Sequence, residues 1–204
     1  MSECLQDAIR ETIPKSLNKP LVVSVSGGVD SMVLLHVLHS MGFPLVVAHV
    51  NHQKREASEK EYEAIMEYCA TIGVPFEGTR YKGEAGNFQA KARNFRLNFL
   101  KDTARKYGSR HILTAHHRDD RIETFLMRFS EGRSLNALTS IRTVFETEGM
   151  KFVKPFLSIP KSALMNYAED HAIPYSEDSS NQDVIYTRNF IRHKLLPRFN
   201  ELNP

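Results

Sequence analysis

Three observations predict an α/β fold, a parallel sheet flanked by helices. Apolar runs of strand length alternate with amphipathic stretches of helix length, the first run ends in a glycine-rich loop, and a later strand turns into a helix through two histidines and two acids. Leu21–Val25, Leu45–Val50, Pro75–Arg80 and His111–Thr114 are the predicted strands, and Asp30–Met41, Ser58–Ile72, Phe88–Tyr107 and Asp119–Phe129 the predicted helices. In the third helix Phe88, Ala92, Phe95 and Phe99 follow a four-three-four spacing, a core-facing stripe that leaves most of the charges toward solvent or a ligand. In the fourth, Ile122, Phe125, Leu126 and Phe129 form the expected buried stripe, so Asp120 and Glu123 should look outward together on the opposite face. Beyond Gly132 the pattern changes. Val144–Val153 reads as a hairpin or a surface loop, Pro160–His171 as a helix, the stretch IPYSEDSSNQD as an irregular polar loop, and Thr187–Phe199 as a closing helix.

The first junction, LVVSVSGGVDS from Leu21 to Ser31, has the composition of a phosphate-binding site. Loop N–H groups and the positive end of the following helix point at one spot, and Ser24, Ser26 and Ser31 add hydroxyls. Gly27 and Gly28 allow close backbone approach. No Lys follows the glycines as in GxxxxGK[ST], and the glycines are adjacent, unlike GxGxxG. Without a ligand, the same residues would form a strand-to-helix turn with Asp30 as a first-turn acid.

The second junction, TAHHRDDRIETFLMRF, should place His116, His117 and Asp119 near the carboxyl edge of the sheet, where open α/β folds bind ligands. The helix dipole alone would favour Asp119 and Asp120 in a first turn. His49, His52, His116 and His117 fit no zinc spacing, whereas Mg²⁺ carried in by a phosphate-bearing ligand could use Asp30 and the Asp119–Asp120 pair as oxygen ligands.

Composition sets the outer bounds. The chain has 204 residues, 41% hydrophobic and 25% charged, with net charge +3, and no apolar run approaches the roughly 20 residues of a membrane span. Its start, MSECLQDAIRETIPKSL, mixes acids into a helical pattern without a signal-peptide core, so a cytoplasmic location is expected. Cys4 and Cys69, the only cysteines, form no CxxC pair, so two free thiols are expected. Basic residues cluster: seven Lys or Arg against one acid between Lys91 and Arg110, and four with no acid between Arg188 and Arg198. Residues 1–140 are read as the catalytic domain and 141–204 as a helical extension completing it, with no separate C-terminal RNA-binding domain.

SGGVDS resembles the pyrophosphate loop of ATP pyrophosphatases, which cut ATP into AMP and pyrophosphate. With AHVNHQKR, KARNFRL, TAHHRDDRIET and EDSSNQDVIYTRNFIRHKLLP in that order, the chain from Leu21 to Pro197 is similar to the tRNA(Ile)-lysidine synthetase family. The resemblance implies a Rossmann-like, adenine nucleotide α-hydrolase fold. It also implies ATP-dependent joining of free L-lysine to C2 of the wobble cytidine of tRNA(Ile) with anticodon CAU, through an adenylated cytidine. By the same resemblance Ser26, Gly27, Gly28, Val29, Asp30 and Ser31 would bind ATP, with Asp30 and Asp119 toward Mg²⁺. Arg96, Asp120 and Glu123 would bind lysine or the intermediate, and Asp120, Glu123 or His116 would take the proton. His116 and Arg188 would lie at the reaction centre, with Arg192, one turn later, able to exchange roles with Arg188. Lys91, Arg93, Arg192 and Lys194 would contact tRNA phosphates. A second copy of the chain is an admissible partner, and no membrane is expected.

Several residues depart from the family pattern: Gln53-Lys54-Arg55 after His52, Leu97 where Tyr is frequent, Glu131 before Gly132, and Lys154-Pro155-Phe156-Leu157 for an RPLL run. Many members continue into domains that grip the tRNA acceptor stem, so this chain is expected to be a minimal or a truncated form. A truncated form should keep ATP and lysine binding and hold tRNA weakly. The rivals are a 2-thiocytidine-type tRNA thiolase, against which the missing cysteines count, and a catalytically silent nucleotide- or RNA-binding module, against which the intact Asp30, His116, Asp120 and Glu123 count.

Overall fold

The computed structural model describes residues 2–14, 17–53, 57–83, 88–138, 141–176 and 187–202. Lys54, Arg55 and the stretch 177–186, which holds most of the polar loop, lie outside the described residues. The chain runs α1 (Ser2–Thr12), β1 (Leu21–Ser24), α2 (Val29–Ser40), β2 (Leu45–Asn51), α3 (Ala57–Thr71), β3 (Phe76–Arg80), α4 (Phe88–Lys106), β4 (His111–Leu113), α5 (Arg118–Ser130) and α6 (Leu135–Leu138). It continues through β5 (Val144–Thr147), β6 (Met150–Val153), a 3-10 turn at Pro155–Ser158, α7 (Lys161–Asp170), α8 (Thr187–Phe190), a π-helical turn at Ile191–Leu195 and α9 (Leu196–Leu202). The predicted α/β class holds, and the main strands and helices fall within a residue or two of their expected ends.

The six strands lie in the order β3-β2-β1-β4-β6-β5, parallel except for β5 at one edge. All seven residues of β2 are buried, as a strand covered on both faces requires. Alternation along β1 divides the core. Leu21 and Val23 point to the layer of α1, α2, α3 and α7, whereas Val22 meets Leu100 and Ala104 of α4 on the other face. Helix α2 is apolar nearly all round because it is enclosed: Val33, Leu34, Leu35, Val37 and Leu38 are fully buried. Truncating any of these leucines to Ala should cost about 2–5 kcal/mol.

The segment left open between hairpin and loop is a hairpin that extends the sheet. Glu148 and Gly149 both take positive φ (50° and 72°), which matches the twist of a two-residue hairpin turn. Phe145 stacks on its direct cross-strand partner Phe152 with ring centroids 4.9 Å apart.

Two consequences of this topology position the site. The chain leaves β1 toward β2 on one side and later crosses from β3 to β4 on the other side of β1, and this reversal opens a crevice at the carboxyl ends of β1 and β4. Both sequence junctions end there.

Candidate active site

The β1–α2 loop is built by consecutive residues bonding to one another. Ser31 Oγ donates to Gly28 O at 2.9 Å and accepts from the Ser26 N–H at 3.1 Å, with Ser26 Oγ 3.2 Å away. Gly27 has φ +90°, a conformation side-chain-bearing residues rarely adopt, and a Cβ there would stand 3.1 Å from Ile65 Cδ1. Its carbonyl accepts from the Ser176 N–H at 2.9 Å, which ties the loop to the segment after α7. These bonds hold the loop in shape at the start of α2. Asp30, in the first turn of α2, has one oxygen, Oδ1, buried with no hydrogen-bond partner among the described residues. Its other oxygen faces His117 Nε2 at 3.6 Å and Lys161 Nζ at 3.5 Å.

Helix α5 begins at the same rim. His117, 2% exposed, is its N-cap, and its backbone N–H donates to Asp120 Oδ2 at 3.1 Å. The imidazole lies between three carboxylates, 3.6 Å from Asp30, 3.5 Å from Asp119 and 3.5 Å from Asp120. Asp119 turns toward α7, where its Oδ2 accepts the Lys161 N–H at 2.9 Å. Burial would raise the Asp120 carboxyl, but His117, the His117 N–H, His116 and Arg188 outweigh it and hold the group below the usual carboxylate range.

The orientation expected for α5 is reversed. Glu123 is fully buried, and the supposed core residues Ile122, Phe125 and Phe129 are exposed, Phe129 by 66%. The cause is α8 and the π-helical turn, which pack against α5 and bring two arginines onto its acidic face. Arg192 grips Glu123 with both ends, Nε to Oε1 at 2.6 Å and Nη2 to Oε2 at 3.1 Å. Arg188 Nε lies 2.9 Å from Glu123 Oε2 out of line for a hydrogen bond, so that contact is ionic, while its Nη2 donates to Thr124 Oγ1 at 3.1 Å. Both guanidinium groups also approach Asp120 Oδ1, at 3.8 and 4.0 Å. Arg188 and Arg192 therefore share Glu123 and Asp120 between them.

His116 sits at the other side of the rim with its Nδ1 3.0 Å from Thr114 Oγ1. Burial, reinforced by Lys154, Arg96 and Arg188 and opposed by Asp120, lowers its pKa to about 4, so the ring is neutral near pH 7. Burial and then Arg93 also pull down the guanidinium of Arg96 and the ammonium of Lys154. Arg96 closes a cleft whose other walls include Ser24, Ser26, His49, Asn51 and His52. Lys91, Arg93 and Lys194 are exposed. Among the described residues no group of three or more His, Cys, Asp or Glu side chains is arranged to hold a metal ion, and no helix is long and apolar enough to cross a membrane.

Sequence reasoning brought Asp30, His116, Asp120, Glu123, Arg188 and Arg192 to one rim, and the structure brings them there. It missed His117 as the residue between the carboxylates, along with Lys161 and Lys154. The histidine doublet was the available signal, but spacing does not say which of two adjacent rings turns inward.

A PP-loop domain model matches residues 1–199. A tRNA(Ile)-lysidine synthase of Thermotoga sp. strain RQ2 is 37% identical over 194 residues, covering 90% of this chain and 46% of the relative. One of Enterococcus faecalis is 37% identical over 193 residues, covering 92% and 42%. The chain thus spans less than half the length of these curated relatives. Among solved structures, the U34-tRNA thiolase NcsA of Methanococcus maripaludis with its 4Fe-4S cluster superposes with TM-score 0.81 at 17% identity over 100% of this chain and 75% of that one. NMN synthetase of Francisella tularensis gives TM-score 0.60 at 13% identity, covering 98% and 90%. At these identities the likeness is one of fold.

Proposed function

The chain belongs to the PP-loop domain family, and from that premise we propose that it is a carbon–nitrogen ligase joining free L-lysine to C2 of the wobble cytidine of a tRNA(Ile) with anticodon CAU, with ATP cleaved to AMP and pyrophosphate. One observation carries the reading: His117 lies within 3.6 Å of both Asp30 of the phosphate loop and Asp120 of α5, so the nucleotide junction and the acidic junction are one site. The relatives named as tRNA(Ile)-lysidine synthases support the choice of substrate.

The residues present fit ATP with Mg²⁺. Asp30 Oδ1, a buried carboxylate oxygen with no donor among the described residues, stands at a helix start beside a loop shaped by its own serines, which suits a metal-bearing triphosphate tail. When bound, Mg²⁺ supplies neutralisation of the charge that gathers on the departing pyrophosphate. Ser26, Gly27, Gly28, Val29 and Ser31 would cradle that tail, and Asp30 would hold its metal; Asp119, committed to α7, would serve it less directly. The C2 oxygen of cytidine is a poor leaving group, and adenylation converts it to one. Cytidine O2 bonds to the α-phosphorus as the bond to the β-phosphate oxygen breaks, and the lysine amine then bonds to C2 as AMP leaves.

Asp120, held ionised, receives the lysine ammonium, which must lose a proton before attack. Neutral His116 offers a hydrogen bond to the activated base and is a weak proton acceptor at neutral pH. Glu123 acts through its partners, fixing Arg188 and Arg192 where they face Asp120 and the reaction centre. Arg96 closes the pocket, and Lys91, Arg93 and Lys194 give the tRNA backbone a basic approach.

The thiolase alternative uses the same ATP step with sulfur as nucleophile. Cys69 is buried, its thiol pushed up to about 12 by burial, and Cys4 lies on α1, so neither thiol serves the crevice. The test is incorporation of labelled lysine into an unmodified tRNA(Ile) transcript with ATP. One AMP per lysine, lost when CAU is replaced by GAU, supports the reading; AMP release without any dependence on lysine overturns it.

A further inference from the structure

The β1–α2 loop lacks the lysine that GxxxxGK[ST] loops carry directly after their glycines. A lysine reaches the same place from a distant segment. Lys161 opens α7 behind Pro160, and its backbone is tied to the start of α5. The Arg118 N–H donates to Ile159 O at 2.8 Å, and the Lys161 N–H donates to Asp119 Oδ2 at 2.9 Å. From that anchor Nζ extends to 3.5 Å from Asp30 Oδ2, with a third of the side chain (33%) in solvent.

Electrostatics makes this an unusual place for an ammonium. Lys161 occupies the first turn of α7 and its head group lies beside the first turn of α2, so the positive ends of two helices repel it. Among the described residues its ion-pair partner is one oxygen of Asp30, which His117 also approaches. A cation at such a position gains most when a multiply charged anion shares the spot, and the α2 N-terminus directs its N–H groups there.

We infer that Lys161 is a phosphate-binding residue, which grips the β and γ phosphates together with the loop N–H groups and balances the charge on pyrophosphate as its bond to the α-phosphorus breaks. The inference rests on the ATP reading of the junction. It assigns α7 a role in the site, with Asp119 as the residue that positions Lys161.

Calorimetric titration of the whole chain with Mg-ATP, Mg-pyrophosphate and AMP, on wild type, Lys161→Ala and Lys161→Arg, tests it. A charge-assisted contact predicts at least about a tenfold loss of Mg-ATP and pyrophosphate affinity in Lys161→Ala, AMP affinity within about twofold of wild type, and partial recovery in Lys161→Arg. Pyrophosphate binding by Lys161→Ala equal to wild type overturns the inference, as does an equal loss for AMP, which marks a general collapse of the site. If wild type itself binds neither ATP nor pyrophosphate, the ATP reading fails and takes this inference with it; if wild type binds both and Lys161→Ala matches it, the inference alone fails.

Discussion

Asp30 and Glu123 stand on two helices that start at the same rim, and their surroundings differ. Asp30 keeps one oxygen unpaired among the described residues, beside a loop shaped by its own backbone and serines. Glu123 has both oxygens engaged by arginines from the last helical segment and no exposure at all. Groups left unsatisfied in the fold are available to a ligand, whereas groups fully paired within it hold the structure together. The first region should therefore respond to mutation through binding and the second through stability.

The largest expected separation is between Glu123→Gln and Asp30→Asn. Removing the Glu123 charge leaves two arginines facing each other with one fewer partner. The cost should be about 2–4 kcal/mol, toward the lower end for a broken buried pair because both arginines reach solvent. Asp30→Asn, which loses only the longer approaches to His117 and Lys161, should cost less, about 1 kcal/mol or under in urea unfolding, while losing Mg-ATP turnover. Equal unfolding losses would erase the distinction.

Gly27→Ala sharpens the comparison from the other side, since it strains the loop itself. The added Cβ must take φ +90° against Ile65, so a cost of about 1–2 kcal/mol in unfolding is expected, with loss of Mg-ATP binding.

His116 gives a pH signature. Its pKa is about 4 in the fold against 6.5 ordinarily, so between those values the unfolded chain binds the extra proton. Its contribution thus favours folding most above pH 6.5 and falls as pH drops toward 4. Urea midpoints at pH 4.5 and 7 should differ less in His116→Gln than in wild type, and the same difference in both would contradict the assignment.

The smallest effects belong to the exposed basic face of α4. Lys91→Ala and Arg93→Ala should each weaken tRNA binding modestly, lower the salt dependence by about one unit of slope and leave ATP binding alone.

What could be read from sequence follows the same division. The loop Ser26–Ser31 is bonded among near neighbours, so its local shape could be expected from sequence order alone. The Glu123 cluster joins residues 65 and 69 positions apart, and no periodicity reports that pairing. The α5 stripe misled because apolar faces usually turn inward; here the arginines of α8 and the π-helical turn cover the acidic face and leave Phe125 and Phe129 outside. The hairpin stayed open because Glu148 is an uncommon occupant of a positive-φ turn position. Lys161 was invisible for a simpler reason: its relation to Asp30 exists only once β6 and the 3-10 turn have carried the chain back across the rim.

The most direct test separates the two regions within one reaction. With α-phosphate-labelled ATP and lysine withheld, wild type should place label on the tRNA, and added lysine should release it as AMP. Asp30→Asn should place no label, whereas Asp120→Asn should place it and fail to release it. Labelling abolished alike in both variants, or wild-type label appearing on lysine and never on RNA, would contradict a site in which the loop activates the base and the acids of α5 receive the amine.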